Sequence, residues 1–296
     1  MINLIIRLKE TFLYIFYTII WIEPIWFFLN KKGRRIFLKE RLKFGLLEKR
    51  IAEDIKHDGV AVTHIDELFP GKNFLPELQK FSHEARNKAE VNRKKKFLLD
   101  LWGPNQVIDL EQPFVKLSLE DRVLGAISEY LGVCPKFYYY LLNVALVVPE
   151  WERAVQSQKW HRDPEDKKMC KTFIYLNDVD ESTGPFFYIK GSQHGGKWRN
   201  FYPQRPPHGV YPPEGIVEKT IPPNEIFTAT GRAGTIIFCD TSGLHKGGYA
   251  TKKERIMFTA GFITKASSWK AQYRYPSNFT ELVSPKSDLL KYALEP

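Results

Sequence analysis

Four consecutive residues, Trp160-His161-Arg162-Asp163, carry the first recognisable chemistry in the chain. In extended backbone, side chains two residues apart point to the same side. His161 and Asp163 can therefore offer an imidazole and a carboxylate to one metal ion from a single strand end. A third ligand would complete a two-His-one-carboxylate facial set, which leaves coordination positions open and suits Fe(II). His245, at the end of the run DTSGLH, is the candidate. A bare H-x-D recurs by chance, so its meaning rests on what surrounds and positions it.

At 296 residues the chain can bury a substantial core, as one large domain or two small ones. A hydrophobic content of 43% excludes a disordered chain. Three cysteines, Cys134, Cys170 and Cys239, are too scattered for a disulfide framework or a zinc ribbon. They point to a reducing, cytoplasmic setting. Cys239 lies near the candidate site but reads as a small buried apolar residue rather than a catalytic thiol. The formal charge of +10 is concentrated, because residues 31 to 50 hold nine Lys/Arg against two Glu. Basic character belongs to that segment and not to the body that would hold the site.

Thr11 to Leu29, TFLYIFYTIIWIEPIWFFL, is almost wholly apolar and aromatic. It has no small-residue cleavage site, and basic residues follow it, so a cleaved signal peptide fits poorly. Glu23 and Pro24 interrupt a run otherwise close to the ~20 residues that a spanning helix needs. On a helical wheel Arg7, Glu10, Tyr14, Thr18 and Trp21 form a more polar stripe; Ile6, Leu13, Phe16 and Ile20 form the apolar side. Lys31-Lys32-Gly33-Arg34-Arg35 follows at once. The combination suggests peripheral membrane contact through residues 1–35, an interfacial helix beside a basic patch for anionic lipid. The alternatives are packing on the protein's own body or a second subunit, and a true span. A boundary near residue 50 divides this extension, 1–50, from a body, 51–296.

The body reads as helices first and strands later. A charged helical stretch runs over 34–57, a long helical pattern over Leu75 to Leu101, and an amphipathic helix over Leu119 to Leu131, closed by Gly132. The basic run Arg93-Lys94-Lys95-Lys96 reads as a solvated face. Strands are expected at 60–62, 137–149, 172–176, 186–189, 235–238 and 255–263, where β-branched and aromatic residues alternate with turn material. Between Asn200 and Pro223 lies a Pro- and Tyr-rich loop, long enough to suggest a lid. This order predicts a mainly β body, a sandwich or barrel behind an N-terminal helical layer.

Three blocks give the reading a family. They are QKWHRDPED around His161 and Asp163, LNDVDESTGPFFYIKGSQHGG from Leu176 to Gly196, and GTIIFCDTSGLHKGGYATKKERIMFTAGF from Gly234 to Phe262. Together, over about Asp58 to Phe262, they resemble the phytanoyl-CoA dioxygenase family of Fe(II)- and 2-oxoglutarate-dependent oxygenases. The resemblance implies a double-stranded β-helix, a cupin-like jelly roll. It assigns His161, Asp163 and His245 to the iron, and Arg255 to the distal carboxylate of 2-oxoglutarate, a task suited to a planar, always-charged fork. Tyr175 or Lys171 are further candidates for the cosubstrate and Asn143 for the pocket wall. Some relatives carry a hydroxyl residue two after the distal histidine; here that position is Gly247. The implied reaction consumes 2-oxoglutarate and O2, releases succinate and CO2, and hydroxylates an unactivated C–H of a small organic or lipid-like substrate. Halogenases similar to this family replace the carboxylate ligand with a small residue, so Asp163 favours hydroxylation.

Two rivals remain open. Nucleic-acid dealkylating oxygenases share the metal triad, but their second arginine would fall at Gly261, and the basic residues cluster away from the site, so no nucleic acid is expected. A non-catalytic jelly-roll binding or scaffold protein would not need three metal ligands and Arg255 together. His57, His64, His83, His194 and His208 read as ordinary hydrogen-bonded or surface residues.

Overall fold

The computed structural model describes residues 2–88, 97–103, 105–149 and 154–296. The helical half runs α1 (Ile2–Ile20), α2 (Glu23–Leu29), α3 (Lys31–Glu40), α4 (Leu46–Asp58), α5 (Ile65–Leu68), α6 (Phe74–Lys88), α7 (Pro113–Ser118) and α8 (Asp121–Leu131). Gly59 and Gly132 close α4 and α8 with φ of 83° and 72°, left-handed positions that glycine adopts without steric cost. The strands are β1 (Val60–His64), β2 (Leu98–Asp100), β3 (Lys136–Ala145), β4 (Cys170–Tyr175), β5 (Phe186–Ile189), β6 (Ile226–Ala229), β7 (Thr235–Cys239), β8 (His245–Gly247) and β9 (Arg255–Ile263). Short helices α9 (Ile216–Thr220), α10 (Phe279–Val283) and α11 (Asp288–Leu294) complete the chain.

Six strands form one antiparallel sheet in the order β1-β7-β4-β9-β3-β2, and β6-β5-β8 form a second. This is a double-stranded β-helix, as the resemblance implied. Alternation along each strand splits the large sheet into two faces. Leu142, Val144, Ile174, Ile236, Phe238, Phe258, Ala260 and Phe262 turn outward onto α4 and α8 and build the main core. Phe258, fully buried, stacks on Phe114 at 4.7 Å; burying such a ring contributes about 1.5–3 kcal/mol. The register aligns Asn143 with Met257 and Tyr175, Leu141 with Thr259 and Phe173, and Ala145 with Arg255. Those residues share the other face, between the sheets. There Phe173, Tyr175, Phe186 and Tyr188 belong to a separate inner cluster.

Two parts of the sequence reading need correction. The helix expected over Leu75 to Leu101 does not reach its expected end, because Leu98–Asp100 pairs with β3 as an edge strand; α6 is described over Phe74–Lys88. Arg93 to Lys96 lies outside the described residues. On α1, the expected apolar side is split: Phe16 is exposed while Ile20 is buried, together with Tyr17, whose hydroxyl is 2.5 Å from Ser268 Oγ. Tyr14 and Thr18 are exposed. The side chains of Ile6, Arg7 and Glu10 lie outside the description. At Glu23-Pro24 the helix breaks into α1 and α2 with an 80° bend, and no single helix among the described residues is long and apolar enough to cross a membrane. Trp26, Phe37 and Phe44 join the main core.

Candidate metal centre

The segment after Trp160 is extended, as H-x-D chemistry requires, and its neighbours explain why three ligands meet. His161 pairs directly with His245, each backbone N–H donating to the other's carbonyl at 2.9 and 3.0 Å. Residues facing each other across antiparallel strands hold their Cβ atoms about 5 Å apart, so the two rings are brought to 4.1 Å between centroids. Asp163 N–H donates to Thr241 O, which fixes the carboxylate's end of the segment to the turn leading into β8.

One ligand atom from each of His161, Asp163 and His245 lies within 4.8 Å of the others, and all three residues are buried. His245 Nε2 is 3.4 Å from Asp163 Oδ2, and His161 Nε2 is 3.9 Å from Asp163 Oδ1. Each imidazole has its Nδ1 against a carbonyl, Lys159 O at 2.8 Å and Gly243 O at 3.0 Å. A carbonyl only accepts, so both rings carry the proton on Nδ1 and turn an Nε2 lone pair toward the centre. Two imidazole nitrogens and a carboxylate oxygen converging on one point form the donor set of a facial triad.

Charge and burial around the centre keep Asp163 ionised and His245 neutral. Burial opposes ionisation of Asp163, but the Lys171 ammonium at 2.6 Å and the two imidazoles outweigh it and hold the carboxyl well below its usual range. Burial, with the neighbouring His161 ring, pushes His245 down to about 3, so its imidazole is neutral at neutral pH. Lys171 is buried too, yet Asp163 holds its ammonium firmly charged.

Arg255 sits on the inner face of β9, fully enclosed, and donates from Nη1 to Gly184 O. Its Nη2 comes within 3.7 Å of where a side chain at Gly247 would begin, which sets the guanidinium beside β8, two residues past His245. Arg255 Nε and Asn143 Oδ1 are both buried without a hydrogen-bond partner. Such atoms are costly unless something else meets them. Tyr175 lies next to Arg255, but its hydroxyl already donates to Ala229 O at 2.8 Å. Lys171, Tyr175, Asn143 and Arg255 thus share one face, with Lys171 directed at the metal carboxylate and Tyr175 at the adjacent backbone.

No family model matches the sequence, and no curated protein matches it. Solved structures do. The epimerase SnoN, in complex with Fe3+, alpha-ketoglutarate and nogalamycin RO, aligns over 76% of this chain and 87% of its own, with a TM-score of 0.55 at 15% identity. EctD from S. alaskensis, with 2-oxoglutarate and 5-hydroxyectoine, aligns over 73% and 75%, with a TM-score of 0.50 at 18% identity. What they share with this chain is the fold.

Several residues that position the centre escaped the sequence reading. Arg162, alternating between two ligands, points away from them and donates to the carbonyls of Tyr202, Ser192, Ser242, Trp198, Arg199 and Phe201. Strand alternation signals that it points away from the ligands, though not its partners. Gln204 Nε2 donates to Asp163 O and Asp166 O. Tyr211 stacks on the His161 ring at 5.5 Å, and Val210 pairs with Arg162. The loop between Asn200 and Pro223 therefore walls the centre, and Val217 of its helix α9 and Ile221 just after it pack with Trp160.

Asp166 is wholly buried and accepts from Lys167 N, Thr264 N and, at 3.5 Å, Trp26 Nε1. Burial pushes its carboxyl from 3.8 up to about 6 despite these donors. The unfolded chain ionises this group near 3.8, whereas the native state holds its proton to about 6. Its contribution to stability is full below the lower value, falls as pH rises between the two, and is gone above the upper one. The span amounts to about 2–3 kcal/mol. Thermal melts in mildly acidic and neutral buffer should show the wild type losing a few degrees more than Asp166→Asn across that window. Equal losses would remove Asp166 as the cause.

Proposed function

We propose that this protein is an Fe(II)- and 2-oxoglutarate-dependent oxygenase of the phytanoyl-CoA dioxygenase kind, a hydroxylase of an unactivated C–H bond in a small organic or lipid-like substrate. The observation that carries the reading is the converging set of His161, Asp163 and His245, with both Nδ1 atoms held by carbonyls. Likeness of fold to SnoN and EctD, solved with iron or 2-oxoglutarate and small-molecule ligands, supports it.

The chemistry of the donors suits the group. His161, Asp163 and His245 would hold iron, and the unpartnered Arg255 Nε and Asn143 Oδ1 mark where a polar cosubstrate is wanted. Iron with 2-oxoglutarate and O2 supplies, when bound, the oxidation of a C–H bond to C–OH, with succinate and CO2 released. Arg255, buried and already fixed by its bond to Gly184 O, would hold the distal carboxylate. Lys171 neutralises the Asp163 oxygen it holds, keeping the ligand ionised in a site shielded from water. Tyr211 and the loop it belongs to cover the His161 side and exclude solvent.

Anaerobic addition of Fe(II) and then 2-oxoglutarate should raise the weak visible metal-to-ligand absorption of such a complex. Its absence would remove the oxygenase reading. Gly247 provides a finer test, since a Cβ there meets Arg255 Nη2 and Ser157 O only at ordinary contact distance, 3.7 Å. Gly247→Ser should fold normally and lower the KM for 2-oxoglutarate by roughly two- to tenfold through one added hydrogen bond. Arg255→Gln should raise that KM at least about tenfold, having lost a charge-assisted pair. An unchanged KM in Arg255→Gln would displace the arginine from this role.

A further inference from the structure

One face of the N-terminal helices is unexplained by the site. On α1, Phe12, Ile15, Phe16 and Ile19 fall at helical spacing on one side, Ile22 follows in the turn after the helix, and the five are 41–68% exposed. Beyond the bend, Phe28 and Leu29 of α2 are exposed as well. The row on α1 cannot turn inward, because the opposite side of α1 is already in use: Tyr17 and Ile20 are buried against the body, and Tyr17 is bonded to Ser268. Below it Trp26 and Asn30 are locked in place, Trp26 on Asp166 and Asn30 on Thr264. Apolar rows of this size on a held helix mark a contact surface.

Charge identifies the occupant. Lys31 and Arg34, exposed at the start of α3, lie over the rings of Phe28 and Phe27 at 4.9 and 4.6 Å, so cations border the apolar row directly. Arg35 is exposed beside them. Lys32 and Lys39 are paired with Glu295 and Asp288, whereas among the described residues Lys31, Arg34 and Arg35 have no acidic partner. We propose that α1, α2 and the start of α3 form a docking platform for an anionic phospholipid bilayer, with the apolar row entering the interface and Lys31, Arg34 and Arg35 meeting the headgroups. A second copy of the chain is a poorer occupant, since a symmetric contact would bring the two cationic rims together. A span is opposed by the 80° bend and by the burial of Trp26 at its lower arm. The proposal does not depend on the metal reading.

The test uses the full-length protein and sedimentation with phosphatidylcholine vesicles, with and without about one third phosphatidylserine. The wild type should pellet with the anionic vesicles and release in high salt. Lys31→Glu/Arg34→Glu/Arg35→Glu should weaken that binding on the order of a hundredfold, at about fivefold per cation. Ile15→Ser/Ile19→Ser should lose at least about tenfold. Unchanged melting curves and Fe(II) titrations in both variants would separate docking from folding and from the metal site. Wild type that stays in the supernatant, or that binds neutral and anionic vesicles alike, overturns the proposal. So does a wild-type dimer that Ile15→Ser/Ile19→Ser converts to monomer, which would make the occupant a second copy, or resistance to alkaline extraction, which would mean a span.

Discussion

His245→Gln is expected to abolish Fe(II)-dependent turnover of 2-oxoglutarate while leaving the protein folded. Residues that merely orient metal ligands typically cost 10- to 100-fold in affinity or activity when changed, so loss of a ligand itself should exceed about a hundredfold. His245 is the clean choice among the three. Its imidazole is neutral, and away from the ligand centre the ring donates from Nδ1 to Gly243 O. Asp163→Ala should remove activity just as fully but for two reasons. It strips a ligand and strands the buried Lys171 ammonium, which held the carboxylate at 2.6 Å. Breaking one side of a buried pair costs about 3–5 kcal/mol, so this variant should also melt several degrees lower. Uncoupled 2-oxoglutarate consumption, metal content and a melting curve on each variant distinguish the two. Wild-type consumption by His245→Gln would mean that iron is not held here.

Arg162→Ala should be the most damaging substitution that touches no ligand atom. Its guanidinium is 2% exposed and serves six carbonyl oxygens at 2.5–3.4 Å, five of them from residues 192–202 and one from Ser242. These carbonyls belong to the turn after β5, the start of the loop beside the centre and the turn that delivers His245, so the arginine clasps all three onto the strand of His161 and Asp163. Alanine leaves the oxygens buried and unpaired, a loss on the order of 4–6 kcal/mol even if water enters. For a chain of this length that corresponds to a melting temperature about 6–10 °C lower. Iron affinity should fall 10- to 100-fold as the ligands lose their relative placement. Arg162→Lys, with three donors on a point charge instead of a five-donor fork, should lie between. A melting temperature within a degree or two of wild type for Arg162→Ala would refute this account.

What the sequence alone determined is whatever depends on local period. Two-residue alternation placed His161 and Asp163 on one side of an extended segment, and the structure has them so. Runs of β-branched and aromatic residues located β4, β5 and β9, because those strands are buried and long enough to carry a pattern. Helix-breaking Glu23-Pro24 announced the bend between α1 and α2. Three-residue elements such as β2 and β8 are too short to have a period, and Leu98 and Leu99 extended an amphipathic pattern that pairing with β3 overrode.

Tertiary structure alone decided which distant groups complete these local features. His245 faces His161 only because β8 pairs with that segment, some eighty residues away in the chain. The acceptors of Arg162, the ion pair between Lys171 and Asp163, and the seat of Trp26 on Asp166 all join segments with no shared periodicity. The inward side of α1 was decided in the same way. An almost wholly apolar helix carries little information about which face to bury, so Tyr17 was drawn in by Ser268, and Phe16 was left with its neighbours at the surface. Short-range side-chain direction follows from backbone geometry, whereas a metal centre and a docking face are set by which strands and helices finally lie against one another.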